Sequence, residues 1–289
     1  MKKSDETIWF EVRVSPAGKE TEAVSSQLFD LGAAGVWEDD KNDTLVGYFS
    51  QVIEGAAVER LAAVVKPATV RVSQVVTDDW AKKYQQHFRP QPLAHQFFLL
   101  PIWDRAAPIT GDRIPIVMEA GQAFGTGLHA STRLALSALE SAVAGLSDLG
   151  RVKLLDVGTG TGILAIAAEK LGIGSVEAID NDPVAVEVAR ENCVLNQCQL
   201  TRVSETPLEK LKSEYDVILS NILLETHREL ASHYARLLTN RGQLIVAGLL
   251  GYQCEALAVI LLRVGLVCES RRAMQEWAAM TFVRKVGAR

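Results

Sequence analysis

Apolar and polar positions repeat with two different periods along this chain, and the change of period divides it. Thr7 to Val14 (TIWFEVRV) alternates in the manner of a half-buried strand. Glu20 to Leu31 instead places Ala23, Val24, Leu28 and Leu31 at helical spacing and stops at Gly32, a C-terminal cap. Gly35 to Glu38 and Thr44 to Phe49 are strand-like, with Lys41-Asn42-Asp43 turning between them. Ala56 to Lys66 is helical up to Pro67, and Thr69 to Val76 is β-branched. The order βαββαβ over residues 1–78 predicts a ferredoxin-like α+β domain. Its acids and bases carry no chemical motif and are expected on a solvated face.

Thr77 to Pro92 (TDDWAKKYQQHFRPQP) is charged and closed by two prolines. Asp78 or Asp79 is placed to cap a short helix with Trp80, Tyr84 and Phe88 on one face. Those aromatics suit packing against a core or stacking on nucleotide bases, and packing is the simpler reading. With the strand-like Phe97 to Ile102, the segment forms a linker helix and pre-core extension over residues 79–110.

Strands and helices alternate through residues 111–289. The predicted strands are Ile114–Met118, Lys153–Val157, Ser175–Ile179, a weak Leu200–Val203, Tyr215–Ser220 and Gly242–Ala247, then Leu266–Glu269 and Met280–Val286. The predicted helices are Thr132–Val143, Ile163–Leu171, Pro183–Asn192, His227–Leu238 and Tyr252–Val264. This predicts an α/β, doubly wound (Rossmann-like) parallel sheet with a final antiparallel strand.

Composition narrows the class without fixing the chemistry. A chain of 289 residues is ample for an α/β core and a smaller domain. No apolar run approaches the ~20 residues of a membrane span. Lys2 and Lys3 are followed by no apolar segment, so a secretory signal is not expected. Cys193, Cys198, Cys254 and Cys268 lack metal-ligand spacing and fall in apparent helices or strands, as reduced, partly buried thiols of a cytoplasmic protein would. No metal site is expected. The net charge of −5 argues against direct nucleic-acid binding and is compatible with a basic protein partner.

The candidate chemistry starts at Lys153 to Asn192. An apolar strand ends in Asp156-Val157, Gly158, Gly160 and Gly162 alternate with threonines, a helix follows, and a second strand ends at Asp180. That is a βαβ unit with a ligand at its strand ends. A dinucleotide fingerprint would read GxGxxG; here the spacing is GxGxG, and an acid stands two residues before the first glycine. A carboxylate there suits a cationic ligand without phosphate, such as S-adenosylmethionine, with its sulfonium and ammonium. Asp180 is placed to accept from two ribose hydroxyls, a role nicotinamide enzymes share.

The second informative stretch is Glu119 to Thr132 (EAGQAFGTGLHAST), a glycine-rich loop leading into a helix. Phe124 and Thr126 are its candidate ligand contacts. His129 reads either as a general base or metal ligand, or as the helix cap, a role Ser131 could also fill; the cap is the simpler reading, with no other His or Cys nearby in sequence.

Acid, glycines and second acid in register resemble the first two motifs of the class I methyltransferases. With AFGTGLHAST, DVGTGTG, AIDND and SNILLE in this order after a ferredoxin-like domain, nearly the whole chain resembles the PrmA family. These enzymes trimethylate amino groups of ribosomal protein L11, lysine side chains and the N-terminal amine. The resemblance implies a class I S-adenosylmethionine-dependent methyltransferase domain preceded by a substrate-recognition domain. It carries the cofactor contacts onto Thr132, Gly158, Asp180 and Asn221, beside Asp156, Gly160 and Gly162 from the local reading. Two departures bear on the substrate. Glu119-Ala120-Gly121 stands where the family has Asp-Pro-Gly, and Ala130 follows the histidine where Pro is common.

Asn221 is the catalytic candidate, at the end of a strand beside the expected position of the transferred methyl. Enzymes acting on planar nitrogens follow such an Asn with Pro-Pro and an aromatic; Ile222-Leu223 here favours an aliphatic amine. Two other readings remain open: a related methyltransferase acting on another protein or a small amine, and a cofactor-binding regulatory or assembly protein without turnover.

Overall fold

The computed structural model describes residues 8–15, 24–25, 27–28, 31–33, 35–39, 43–49, 51, 53, 55, 59, 62–63, 69–76, 88–119 and 127–285. The chain divides into two compact units: residues 1–89 with 120–124, and residues 90–119 with 125–289. Most of the two helices expected at 20–31 and 56–66, and the connector residues Trp80 and Tyr84, lie outside the described residues.

In the first unit, β1 (Ile8–Ser15), β2 (Gly35–Asp39), β3 (Thr44–Phe49) and β4 (Thr69–Val76) form one antiparallel sheet in the order β2-β3-β1-β4. Alternate residues of β1 (Val12, Val14) turn to one face and pack with Leu45, Phe49 and the helical Val24 and Leu28. The other face departs from expectation at Glu11, which is buried, not solvated. Its carboxylate is satisfied there by Arg13 Nε at 2.6 Å and by the hydroxyl of Tyr48 at 2.8 Å. Tyr48 stands opposite Glu11 in the β1–β3 register.

The second unit opens with a small sheet, β5 (Gln91–Leu93), β6 (Phe97–Pro101) and β7 (Ile114–Met118), in that order. Pro92 hides β5 from a sequence reading, since Pro can occupy only a strand edge. The turn between β5 and β6 is held by Glu140, a buried carboxylate that accepts from His95 N at 3.1 Å and Gln96 N at 2.7 Å. Glu140 belongs to α1 (Ala130–Ala144), which starts where the glycine-rich loop ends.

The main sheet has seven strands, β8 (Lys153–Val157), β9 (Ser175–Ile179), β10 (Thr201–Ser204), β11 (Tyr215–Asn221), β12 (Leu238–Leu250), β13 (Leu266–Met274) and β14 (Trp277–Arg284). Their order is β10-β9-β8-β11-β12-β14-β13; the first five are parallel, and β14 runs antiparallel to both β12 and β13. Four helices connect them, α2 (Ile163–Lys170), α3 (Pro183–Leu195), α4 (Leu224–Leu237) and α5 (Cys254–Arg263). After exposed Lys153, β8 is buried throughout, as an inner parallel strand covered on both faces must be. The chain reverses its order of strand addition at β8 and β11, so the carboxyl ends of those two strands flank the switch point where α/β sheets bind ligands.

Differences from the expected elements sit at their ends. Strand β12 begins at Leu238 because the Arg284 guanidinium gathers the carbonyls of Ala235, Leu238 and Thr239, tying that turn to the neighbouring strand. Strand β13 continues past Glu269 to Met274, paired residue by residue with β14. The thiols also differ in part: Cys193 and Cys254 are buried, Cys198 lies outside regular structure, and Cys268 is exposed on the edge strand β13. Among the described residues there is no His/Cys/Asp/Glu cluster fit for a metal, and no helix long and apolar enough to cross a membrane.

One turn tests how tightly the βαβ unit is closed. Gly174 donates its N–H to Leu149 O at 2.8 Å, and a Cβ on it would lie 1.8 Å from the Gly150 carbonyl oxygen. Backbone, not a flexible side chain, would have to yield. Gly174→Ala should therefore destabilise the protein by about 1–3 kcal/mol. Urea unfolding of the two proteins measures this, and coincident midpoints would refute the packing argument.

Candidate active site

Strand β8 delivers Asp156 to the carboxyl edge of the sheet, where it is completely buried. The chain then turns through Gly158, Gly160 and Gly162, all with positive φ (72°, 54° and 81°). Side chains are excluded at the first of these by space as well as by φ: a Cβ on Gly158 would sit 2.5 Å from Ile222 Cγ2. The turn's amides point inward. Gly158 N and Thr159 N both donate to Ile179 O, at 2.9 and 3.0 Å, and Gly160 N donates to Asp180 Oδ2 at 2.9 Å. Asp180, at the end of β9, also accepts from Asp182 N at 3.1 Å, just before Asp182 caps α3. A carboxylate has about four lone-pair sites, so two backbone bonds leave it acceptor capacity.

Asp156 is less well provided for. Thr159 Oγ1 donates to its Oδ2 at 2.7 Å, while Oδ1 has no partner within hydrogen-bond geometry among the described residues. Its pKa is pushed up to about 7. Burial is the main cause, the Thr159 hydroxyl pulls the other way, the charge of Asp180 adds to the rise, and the nearby Ala165 amide lowers it.

Strand β11, hydrogen-bonded to β8, ends in Ser220-Asn221. Asn221 Nδ2 lies 3.4 Å from Thr132 Oγ1 at the start of α1, and Asn221 Oδ1 is buried without a partner among the described residues. The first turn of α1 and the strand end thus meet through a hydrogen bond across 89 positions of sequence. His129 is the N-cap of α1: its Nδ1 accepts from Ser131 N at 3.3 Å and lies 2.8 Å from Ser131 Oγ. Its ring meets Trp277 edge-on, with centroids 4.4 Å apart. An imidazole accepting at Nδ1 must be neutral there, and burial lowers the His129 pKa to about 4 against the opposing pull of Glu276.

A buried network supports the end of β11. Ser220 Oγ donates to Val157 O at 3.0 Å, joining β11 to β8. The Tyr234 hydroxyl lies 3.2 Å from both Ser220 Oγ and His227 Nδ1, and His227 Nε2 is 2.9 Å from Ala247 O on β12. That last contact makes Nε2 the protonated nitrogen. Burial lowers the His227 pKa to about 4, opposed by the Ala247 and Ile222 carbonyls. Gly248 lets β12 pass close by, since a Cβ there would lie 2.4 Å from Ile222 O.

The expected site residues Thr132, Asp156, Gly158, Gly160, Gly162, Asp180 and Asn221 all lie along this one edge; Phe124 and Thr126 fall outside the described residues. The Ser220–Tyr234–His227 network was not anticipated. Its only trace in sequence is polar residues on the inner face of an otherwise apolar strand and helix. The arrangement accepts hydrogen bonds from a cationic, hydroxyl-bearing ligand. It offers little to a pyrophosphate, because the amides of Gly158, Thr159 and Gly160 are already engaged.

Known proteins fit this geometry. The chain matches the family described as "Ribosomal protein L11 methyltransferase (PrmA)" over residues 8–285. A protein of that name from Pelobacter propionicus is 39% identical, covering 75% of this chain and 70% of its own. Another, from Trichlorobacter lovleyi, is 35% identical over 84% of this chain and 87% of its own. Among solved structures, a ribosomal protein L11 methylase from Lactobacillus delbrueckii subsp. bulgaricus has a TM-score of 0.63 at 30% identity, covering 68% of this chain and all of that one. By sequence over almost its whole length, the chain belongs to the PrmA family of ribosomal protein L11 methyltransferases.

Proposed function

We propose that this protein transfers methyl groups from S-adenosylmethionine to lysine side chains and the N-terminal amine of ribosomal protein L11. The observation that carries the reading is the pair of unpartnered buried acceptors, Asp156 Oδ1 and Asn221 Oδ1, at the ends of adjacent strands. Leaving a buried acceptor unpaired costs about 1–3 kcal/mol. Both become useful if donors arrive with the ligands: the cofactor ammonium for Asp156, the acceptor amine for Asn221.

Bound S-adenosylmethionine supplies an electrophilic methyl on a cationic sulfur. Asp180 accepts from the ribose hydroxyls while Gly160 and Asp182 hold its carboxylate in place. The glycines at 158, 160 and 162 let the ligand lie against bare backbone, and Thr132 fixes the Asn221 amide so that Oδ1 is left facing the site. Asn221 Oδ1 takes an N–H of the acceptor amine and directs its lone pair along the line of attack. Positioning of this kind carries most of the catalysis in an in-line transfer. Lysine, with a pKa of about 10.4 in water, must lose a proton first, and a neighbouring cation together with desolvation pushes it to do so.

The order β2-β3-β1-β4 supports reading residues 1–78 as a ferredoxin-like domain that recognises substrate, with residues 79–110 as linker and extension and 111–289 as the methyltransferase domain. A separate N-terminal body has support in the two-unit division, whose break falls at residue 89 and whose first unit also takes in residues 120–124. We place the protein in the cytoplasm, acting on a protein and not on nucleic acid. The direct test is incubation with labelled cofactor and purified L11, followed by peptide mass spectrometry. Label on L11 amines is expected; label only on another protein, or none at all, would overturn the reading.

Two further outcomes follow from the site. Cofactor ammonium binding needs Asp156 ionised, and about one-tenth is ionised one pH unit below its value of about 7. Cofactor affinity should accordingly rise about fivefold from pH 6 to about pH 7, below the range in which the cofactor's own α-amino group titrates. In Asp156→Asn it should be weak and nearly flat with pH. Calorimetry across this range decides it, and a flat wild-type profile would remove the ionisation from the binding step.

Asn221→Ala should slow single-turnover methylation by about a hundredfold, with a smaller loss of cofactor affinity than Asp180→Ala shows. A normal rate on pre-bound cofactor, with affinity alone reduced, would leave Asn221 a binding group only.

A further inference from the structure

Helix α3 carries two asparagines one turn apart, and the cofactor reading gives neither of them a role. Asn192 is 1% exposed, and its amide is bonded at both ends: Nδ2 donates to Thr161 O at 2.9 Å, and Oδ1 accepts from Glu119 N at 3.0 Å. Thr161 lies inside the glycine turn after β8. Glu119 follows β7 and opens the second glycine-rich segment. One planar side chain therefore ties the glycine turn to the residue that follows β7.

Asn196 makes a different connection. Its Oδ1 accepts from Val117 N at 2.9 Å, and its Nδ2 donates to Val117 O at 2.6 Å and to Asn192 O at 2.9 Å. It pairs with β7 as a neighbouring strand would, but makes no hydrogen bond to the glycine turn. The same helix begins at Asp182, two residues after Asp180. So α3 holds the proposed ribose-binding carboxylate at its start and, through Asn192, the glycine turn against the end of β7 further along.

We propose that Asn192 is a positioning residue that fixes the glycine turn against the end of β7, and thereby the fit of S-adenosylmethionine against that turn. The inference rests on the cofactor reading above. An amide is the group this place demands, because it offers a donor and an acceptor about 120° apart in one plane. Aspartate keeps the acceptor toward Glu119 N but turns an oxygen toward the Thr161 carbonyl, opening that side.

The test compares Asn192→Asp with Asn196→Ala in the full-length protein. Both remove buried hydrogen bonds and should lower the urea midpoint. Only Asn192→Asp should weaken S-adenosylmethionine binding, by about tenfold or more in calorimetry, with methyl transfer from saturating cofactor changed less than about threefold. Asn192→Ser, which can reach one partner at most, answers the same question if Asn192→Asp does not fold. Wild-type affinity in a folded Asn192 variant would overturn the proposal, as would an equal loss of affinity in Asn196→Ala. Failure of the wild type itself to bind S-adenosylmethionine would overturn the cofactor reading first and this inference with it.

Discussion

Asp156 is buried at the end of the central strand with one oxygen satisfied and the other not. Its neighbour Asp180 aggravates that position, since it is of the same sign and pushes protonation further. A carboxylate in this state is stabilised by any cation that can enter, so part of the free energy of ligand binding is stored in the fold before the ligand arrives. The sheet permits this because β8 lies between β9 and β11, both of which pair with it closely enough to resist rearrangement. On the proposed reading the ammonium of the cofactor is the cation that relieves it.

The same edge disfavours the commonest alternative occupant of such a fold. A dinucleotide site presents backbone N–H groups to a pyrophosphate at the start of a helix. Here the amides of the turn are spent on Ile179 O and on the Asp180 carboxylate, and a second carboxylate lies beneath them. An anion would meet two acidic groups and few free donors. Spacing of glycines alone does not encode this; what decides it is that Asp180 reaches back to Gly160, bringing the second strand end against the first turn.

The βα alternation was legible because each strand and helix announces its own period locally, and Asp156, the three glycines and Asp180 are separated by intervals that a βαβ unit fixes. Contacts made across the fold were not. Thr132 and Asn221 each looked like a ligand contact, yet nothing local indicates that they touch one another. Glu11 fits an alternating pattern that reads as solvent-facing, and only the strand register brings Tyr48 opposite it. Asn192 and Asn196 looked like polar positions on a helix, because their partners are backbone groups 31 to 79 residues away. The ends of β12 and β13 were missed for a related reason: Arg284 and the β14 pairing extend them, and in the case of Arg284 the partners lie 45 to 49 positions away along the chain.

Neither histidine near the site is suited to remove the proton from an incoming ammonium. His129 uses Nδ1 to cap α1 and is held neutral by burial. His227 is fully buried, with Nε2–H turned to Ala247 O and Nδ1 beside the Tyr234 hydroxyl. Both titrate well below neutral pH, His129 with its acceptor nitrogen engaged in the cap and His227 wholly enclosed, so each is a structural imidazole. On the proposed reading, the neutral amine is then favoured by its surroundings and not by a proton-accepting side chain. A cationic sulfur ahead of it and apolar Ile222 beside it both penalise the ammonium form. That places a limit on the residue at 221. A carboxylate there would hold the ammonium and oppose the deprotonation the rest of the site promotes, whereas the asparagine oxygen accepts from the neutral amine and leaves its lone pair free to react.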